Sequence, residues 1–234
     1  ILVSEAGFVF CLGAGGHPRQ VQRSDREDID TWPPEATNEA GDIELQTSGK
    51  IMQAIRIRGR ALIITTTDAH VASYSGPPVV YGFERAGTAC GGISRLSAVA
   101  VDEGAFWMGQ KSFFVYNGSS VQEVACDVAD YVFDDINNSQ ASKVCAVHNS
   151  QYGEVWWFYP SRDSQENNRY VSYNYQQNFW MIGTLARTAA VDRGVFRYPM
   201  WFDPSANIFD HEVSLSHDGD DIFVESGPIF VGEG

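Results

Sequence analysis

Short apolar runs separated by polar turns recur along the whole chain, and the turns contain Gly, Asn or Asp. Apolar residues at helical spacing are nearly absent, so the pattern predicts an all-β protein. Several runs share one form: an apolar strand, a tight glycine-containing turn, and a second, more aromatic strand. These runs occupy residues 52–67, 96–109, 143–159 and 188–202.

The runs form an internal repeat. Equivalent positions, 44, 48 and 44 residues apart, are Ile55, Val99, Val147 and Val191. A further unit is predicted at the start, where residues 1–3 and 8–12 flank a turn and a long insertion rich in Asp, Glu and Pro follows. Repeats of about 40 to 50 residues with up to four strands are typical of β-propeller blades.

We therefore predict a β-propeller-like array of four-stranded blades within one domain, residues 1–234. The five visible units are approximately 1–50, 51–95, 96–142, 143–186 and 187–234. A two-sheet sandwich is the rival fold, but it needs no such period. Apolar strand-like residues near both ends suggest a piece of a longer polypeptide, either closed by sequence outside this chain or incomplete.

Individual segments give further expectations. Residues 155–159 are all apolar, which predicts a strand covered on both faces by neighbouring blades. Asn117-Gly118 predicts a type I′ hairpin turn, and Pro77-Pro78 belongs at a blade edge or a connector. A short helix is predicted within residues 127–142, and Trp32, in a loop, is a candidate anchor for a neighbouring chain or blade.

Composition and charge narrow the function. The 234 residues are 44% hydrophobic with a net charge of −14, which argues against a freestanding nucleic-acid binder. No signal peptide, membrane span or stable membrane insertion is predicted. Four widely spaced cysteines predict buried reduced thiols, although their number leaves a disulfide open. The last 34 residues carry acids and no Lys or Arg: Asp203, Asp210, Glu212, Asp218, Asp220, Asp221, Glu225 and Glu233.

Motifs for catalysis are missing. The sequence has no G-x-S-x-G nucleophile motif. His211 lies between Asp210 and Glu212, which could tune it as a base, but a packing role is favoured. Glycosidases use paired carboxylates, yet the supporting sialidase-type motif is absent. The glycine-rich residues 11–18 lack the Gly-Lys-Ser/Thr ending of a phosphate loop.

Two acidic segments offer hard oxygen ligands for calcium, but neither has EF-hand spacing. They are Asp25, Asp28 and Asp30 in one segment, and Asp218, Asp220 and Asp221 in the other. Solvated acidic loops are the favoured interpretation. We therefore predict no catalytic, cofactor-binding or metal-binding residue set and no cofactor.

The chain resembles the tail nozzle proteins of short-tailed bacteriophages, also called tail tubular protein B or DNA-stabilisation proteins. The likeness covers most of residues 20–195 and rests on structural-repeat motifs. Its residues are Ser24, Asp28, Trp32, Asn38, Ala40 and Gly41, then Leu62 to Thr65, Cys90 and Gly91, Trp107 to Gly118, and residues 187–194.

The resemblance implies a structural virion protein of the phage tail that is not an enzyme. It would form a homo-oligomer, expected as a hexameric ring, that contacts portal or adaptor and tail fibre proteins. Duplex DNA would pass through during ejection without sequence-specific binding. Acids of residues 201–234 would then face the channel or a basic neighbour, since carboxylates keep DNA from adhering.

Two alternatives remain open. One is a receptor- or glycan-binding β-propeller module at a phage tail or cell surface, which would use exposed aromatic residues and Asp or Asn loops. The other is an enzyme acting on glycans, with carboxylates such as Asp134 and Asp135 as the first candidates.

Overall fold

The strands form five antiparallel sheets, each built from consecutive strands. The computed structural model describes residues 1–102 and 104–213. Sheet 1 contains β1 (Leu2–Val3), β2 (Val9–Leu12), β3 (Gln20–Arg23) and β4 (Gly41–Glu44). Sheet 2 contains β5 (Ile51–Ile57), β6 (Arg60–Thr65), β7 (Asp68–Gly76) and β8 (Val80–Thr88).

The remaining sheets follow the same order. Sheet 3 contains β9 (Ala98–Val101), β10 (Gly104–Met108), β11 (Phe113–Tyr116) and β12 (Val121–Val124). Sheet 4 contains β13 (Cys145–Asn149), β14 (Glu154–Tyr159), β15 (Arg169–Asn174) and β16 (Phe179–Thr184). Sheet 5 contains β17 (Ala189–Val191), β18 (Met200–Phe202) and β19 (Ile208–Asp210). Each sheet lies within one of the five units expected from the repeat.

Each sheet packs face to face on the next one. Separate hydrophobic clusters fill the spaces between sheets 1 and 2, 2 and 3, 3 and 4, and 4 and 5. The first strands β1, β5, β9, β13 and β17 contact one another in that order. Sheets stacked in sequence around their first strands are the arrangement of propeller blades, so the prediction of a β-propeller-like all-β fold is confirmed.

The repeat-equivalent residues have equivalent surroundings. Ile55 packs into the cluster between sheets 2 and 3, Val99 into that between sheets 3 and 4, and Val147 into that between sheets 4 and 5. Val191 lies on the outer face of sheet 5 and is 45% exposed. Each of the first three residues therefore points toward the following sheet, as the alignment of the repeats requires.

Strand β14 is covered on both faces. Val155, Trp157 and Tyr159 pack toward sheet 3, whereas Phe158 packs toward sheet 5. The Trp157 indole N–H donates to the Ser97 carbonyl at 2.9 Å, so the ring is buried with its polar atom satisfied. The apolar run at 155–159 is thus explained by neighbours on both sides.

Smaller predictions have mixed outcomes. The helix expected within 127–142 is present as α1 (Ala129–Asp135). The type I′ turn at Asn117-Gly118 is wrong, because residues 117–120 form a longer connection between β11 and β12. The Asn117 side chain there accepts from the Ser119 and Ser120 N–H groups, and these two hydrogen bonds stabilise the longer turn. Pro77 and Pro78 lie in the connector between β7 and β8.

All four cysteines are free thiols, but only Cys90 and Cys145 are buried. Cys11 and Cys126 are partly exposed, so the prediction of buried thiols holds for two of the four. Burial raises the pKa of the Cys90 thiol to about 11, so it is a packing residue rather than a nucleophile. Within residues 1–102 and 104–213, no helix has the length and apolarity needed to cross a membrane.

The first strands share one orientation, which gives the propeller two distinct ends. Leu96 and Cys145 form a parallel bridge where β9 and β13 begin. At the opposite end, the Arg58 guanidinium donates to the Asp102 carbonyl, and the Ser150 N–H donates to the Asp192 carboxylate. We call the end where the first strands begin the upper end, and the end where they finish the lower end.

Candidate functional site

Three polar side chains lie in a row at the lower end. His148 is in β13, Asp192 directly follows β17, and Tyr175 directly follows β15. The Tyr175 hydroxyl and His148 Nε2 are hydrogen-bonded at 3.0 Å, and the Asp192 Oδ2 atom makes an electrostatic contact with His148 Nδ1 at 3.4 Å. The carboxylate favours the ring tautomer with its proton on Nδ1, which leaves Nε2 to accept the Tyr175 O–H.

The backbone holds Asp192 in place. Its Oδ1 accepts the Arg193 N–H at 2.7 Å, and both carboxylate oxygens accept from the Ser150 N–H at 3.3 to 3.4 Å. Because Ser150 belongs to the turn after β13, the carboxylate also ties sheet 4 to sheet 5. Asp192 therefore orients the imidazole at fixed geometry.

Burial keeps His148 neutral. Desolvation lowers the pKa of His148 below its usual value, and the nearby carboxylates of Asp192 and Asp102 oppose this shift without reversing it. At neutral pH the ring is uncharged, so Nε2 has the lone pair that accepts from Tyr175. Burial, followed by the charges of Asp102 and Asp192, raises the pKa of Tyr175, which therefore stays a phenol.

The Tyr175 ring is part of a rigid aromatic platform. It stacks on Phe106 with ring centroids 5.6 Å apart and an interplanar angle of 22°. Phe106, on β10, also meets Tyr173 edge-on at 5.8 Å. Since His148 fixes the hydroxyl and Phe106 fixes the ring face, Tyr175 has little rotational freedom to lose when a ligand binds.

A cleft of about 530 Å³ opens beside this platform, between sheets 3 and 4. Gly104 is required in its wall, because a Cβ there would lie 2.0 Å from the Tyr116 carbonyl oxygen. The exposed polar side chains in the lining are Asp102, Asn117 and Gln176, and the aromatic ones are Phe106, Tyr116 and Tyr175. Such a mixture of aromatic surface with a few convergent polar groups is typical of small-ligand sites.

The predicted role of His211 as a packing residue agrees with its surroundings. Its ring stacks on Trp201 with centroids 3.9 Å apart. Its Nε2 atom accepts from Arg187, and burial together with that cation lowers the pKa of His211 to about 4. The flanking carboxylates therefore do not tune it as a base.

The acidic segment with Asp25, Asp28 and Asp30 forms internal loop contacts. Asp25 accepts from the N–H groups of Arg26 and Glu39, and Asp28 accepts from the Asp30 N–H and the Thr31 hydroxyl. Residues 1–102 and 104–213 contain no group of three or more His, Cys, Asp or Glu side chains suited to a metal. The other candidate segment, Asp218, Asp220 and Asp221, lies outside the described residues.

Asp134 and Asp135, the first candidates for a glycan-acting enzyme, each lie near an arginine, and their catalytic role stays a prediction. The Asp135 carboxylate is 3.8 Å from Arg169, and the Asp134 carbonyl accepts from Arg162. Of the acids in residues 201–234, the structure describes Asp203, Asp210 and Glu212; the other five fall outside the described part of the chain, so a channel-facing role remains a prediction.

The row at the lower end was missed in the sequence, although a signal existed. His148 and Asp192 each follow a repeat-equivalent valine by one position. Equivalent positions on successive blades lie side by side around a propeller axis, so a histidine and an aspartate at these positions come together. The third member, Tyr175, lies outside the first strands and could not be placed by the repeat.

Comparisons with known proteins bear on the fold. No protein-family model and no curated protein matches the chain. Among solved structures, a Bacteroides uniformis protein provisionally named a 6-phosphogluconolactonase matches at a TM-score of 0.59 with 9% identity, over 90% of this chain and 65% of that one. Kluyvelomyces marxianus Hsv2 matches at a TM-score of 0.49 with 9% identity, over 93% of this chain and 60% of that one.

The chain spans less than two thirds of either solved structure. The first of these matches requires a correction of one prediction. The prediction that the chain is not an enzyme is contradicted, because a protein of this fold carries an enzyme's name. One fold hosts many different functional sites, so the lack of a contiguous sequence motif was not sufficient to exclude activity.

Proposed function

We propose that the chain is a β-propeller binding module whose lower cleft takes neutral glycans. The observation that carries the proposal is the Tyr175 platform, fixed by His148 and Phe106, beside a cleft of about 530 Å³. Sugar rings present C–H faces that stack on aromatic rings and hydroxyls that both donate and accept hydrogen bonds. The cleft supplies both kinds of partner.

The polar lining favours an uncharged ligand. The Asn117 amide oxygen already accepts from the Ser119 and Ser120 N–H groups, so Asn117 offers a ligand its NH₂ donors. Gln176 offers an amide donor and acceptor, and Asp102 offers a carboxylate that accepts from hydroxyls. Among the residues that the structure describes, no Lys or Arg lines the cleft. Sialylated or sulfated glycans would meet Asp102 without a compensating cation, so they should be rejected.

A glycan array tests the proposal. We expect the wild-type protein to bind a subset of neutral oligosaccharides, and Tyr175→Ala to lose about tenfold in affinity through the lost stacking surface. Tyr152→Ala is the matched control, since Tyr152 is an exposed tyrosine outside the cleft. Binding confined to anionic glycans, or equal loss in the two variants, would contradict the proposal.

The place of this module in a larger assembly is a separate proposal. The motif resemblance to tail nozzle proteins supports a hexameric ring in a phage tail that contacts portal, adaptor and fibre proteins. A receptor-binding head would instead be a monomer or trimer. Mass photometry of the purified protein, together with imaging of virions, separates these assemblies by copy number and symmetry.

A further inference from the structure

A second cavity lies at the upper end of the propeller, where the first strands begin. Its volume is about 650 Å³. The lining comes from Ile1, from the end of β2 and the loop after it, from β5 and its preceding residue, and from the segment before β9. It is therefore separate from the lower cleft between sheets 3 and 4.

The charge of this cavity is opposite to that of the protein. The whole chain has a net charge of −14, yet the described residues that line the cavity include Lys50 and Arg95 and no Asp or Glu. Within residues 1–102 and 104–213, neither of these two side chains makes an ion pair or a hydrogen bond. Two unpaired cations that share a cavity are a complementary surface for an anion.

Glycines of the loop after β2 add a second feature. Gly13 and Gly16 line the cavity, and Gly13, Gly15 and Gly16 have φ angles of 69°, 61° and 82°. Left-handed residues beside right-handed ones can turn backbone N–H groups toward an anion. The Gly13 N–H already donates to the Gln20 carbonyl at 2.8 Å, so of the two lining glycines only Gly16 can contribute in this way. This is the glycine-rich segment that lacks the ending of a nucleotide phosphate loop, so its use here would not involve a Walker motif.

The remaining lining is largely apolar. Leu12, Ile51, Met52 and Leu96 contribute aliphatic or thioether surface. Gln53 is not available to a ligand, because its amide group bonds to both the N–H and the carbonyl of Ala98. The cavity thus combines a cationic side with an apolar side.

We propose that the upper cavity binds an organic oxyanion, a phosphate or carboxylate attached to an apolar group. Lys50 and Arg95 contact the oxyanion, and Leu12, Met52 and Leu96 contact the apolar group. The site is independent of glycan binding at the lower cleft.

Phenyl phosphate is a suitable probe because it joins a phosphate to an apolar ring. Isothermal titration calorimetry at low salt should detect binding to the wild-type protein, and affinity should fall as salt rises. Lys50→Gln and Arg95→Gln should each weaken binding about fivefold, and the double variant more than tenfold. Phenol, the uncharged analogue, should bind at least tenfold more weakly than phenyl phosphate.

Controls separate the cavity from general charge effects. Lys111→Gln removes an exposed lysine elsewhere at the upper end and should leave phenyl phosphate affinity unchanged. Tyr175→Ala should also leave it unchanged. Lys50 and Arg95 are exposed, so circular dichroism should show folded variants. Failure of the wild type to bind, equal binding of phenol, or unchanged affinity in the double variant would overturn the proposal.

Discussion

Two Asp–His pairs, built from the same residue types, occupy opposite ends of the molecule and differ in what completes them. In the upper pair, the Asp68 Oδ1 atom accepts from Thr47 at 2.7 Å and Thr65 at 2.6 Å and lies 3.2 Å from His70 Nε2. In the lower pair, the Asp192 carboxylate lies 3.4 Å from His148 Nδ1, and His148 Nε2 is hydrogen-bonded to the Tyr175 hydroxyl. The Asp68–His70 pair is buried inside the fold, whereas the His148 row leads to Tyr175, which lines the lower cleft.

The difference shows that surroundings, rather than residue identity, decide the role of such a pair. Asp68 and His70 are buried at 6% and 4% exposure, and Thr47 joins the segment after sheet 1 to the turn between β6 and β7. Burial alone would raise the pKa of Asp68, but hydrogen bonds from Thr65 and Thr47, with His70 nearby, outweigh it, and the pKa lies below its usual value. The upper pair thus stabilises the fold.

The largest expected effect is on the upper pair. Asp68→Ala should lower the free energy of unfolding by about 3 kcal/mol, because it leaves buried hydroxyls without an acceptor. Urea unfolding measures this loss. Asp42→Ala, which removes an exposed carboxylate bonded to Gln20, is the control and should cost less than about 0.5 kcal/mol. Equal losses in the two variants would assign Asp68 no structural role.

The next effect is on the lower pair. Asp192→Ala should weaken binding of an array-identified neutral glycan about fivefold, since an imidazole without its orienting carboxylate no longer fixes Tyr175. Its unfolding free energy should fall by only about 1 kcal/mol. Calorimetric titration with that glycan measures the affinity. An unchanged affinity would remove the lower row from the binding site.

Acid pH should affect the lower pair through His148. Its pKa is lowered in the folded protein, so the unfolded chain binds the proton more tightly and stability falls as pH drops below the ordinary histidine value of about 6.5. Protonation of Nε2 in the folded protein also removes the acceptor for Tyr175, so glycan affinity should fall at the lowered folded-state pKa, at more acid pH than the onset of the stability loss. Titrations between pH 8 and 5 should show this fall in the wild type and not in His148→Gln.

The smallest expected effect on the free energy of unfolding comes from Arg85, an exposed residue beside the upper pair. Arg85 lies 3.6 Å from the Asp68 carboxylate but is 46% exposed at its side chain. Arg85→Gln should cost less than about 1 kcal/mol, because solvent screens the ion pair. A loss in urea unfolding as large as that of Asp68→Ala would mean that the ion pair, rather than the threonine hydroxyls, holds Asp68.

The sequence carried more information about the packed sheets than about the turns at the two ends of the propeller. Apolar periodicity and the spacing of Ile55, Val99 and Val147 indicate how each sheet packs on the next, because every sheet interface requires an apolar side chain at the equivalent position. Turn residues are not constrained by this repeated packing, so their positions and contacts differ from one sheet to the next. The Asn117 turn was therefore misjudged, and Tyr175, which lines the cleft from a position just after β15, was not identified.

Both Asp–His pairs illustrate the same limit. Asp68 and His70 are two residues apart in one strand, so their pairing is visible in the sequence, but the contribution of Thr47 from beyond sheet 1 is not. Asp192 and His148 are separated by a whole unit of the repeat and meet only because equivalent positions on neighbouring sheets are adjacent. Long-range placement of this kind needs the repeat register as well as the residue types.

Thermal unfolding with and without an array-identified neutral glycan tests the central claim most directly, using the wild type, Asp68→Ala and Asp192→Ala. The baseline melting temperature reports on the fold, and the ligand-induced shift reports on the cleft. We expect Asp68→Ala to melt several degrees lower yet keep the full shift, and Asp192→Ala to melt near the wild type with most of the shift lost. A lost shift in Asp68→Ala, or a full shift in Asp192→Ala, would contradict the account.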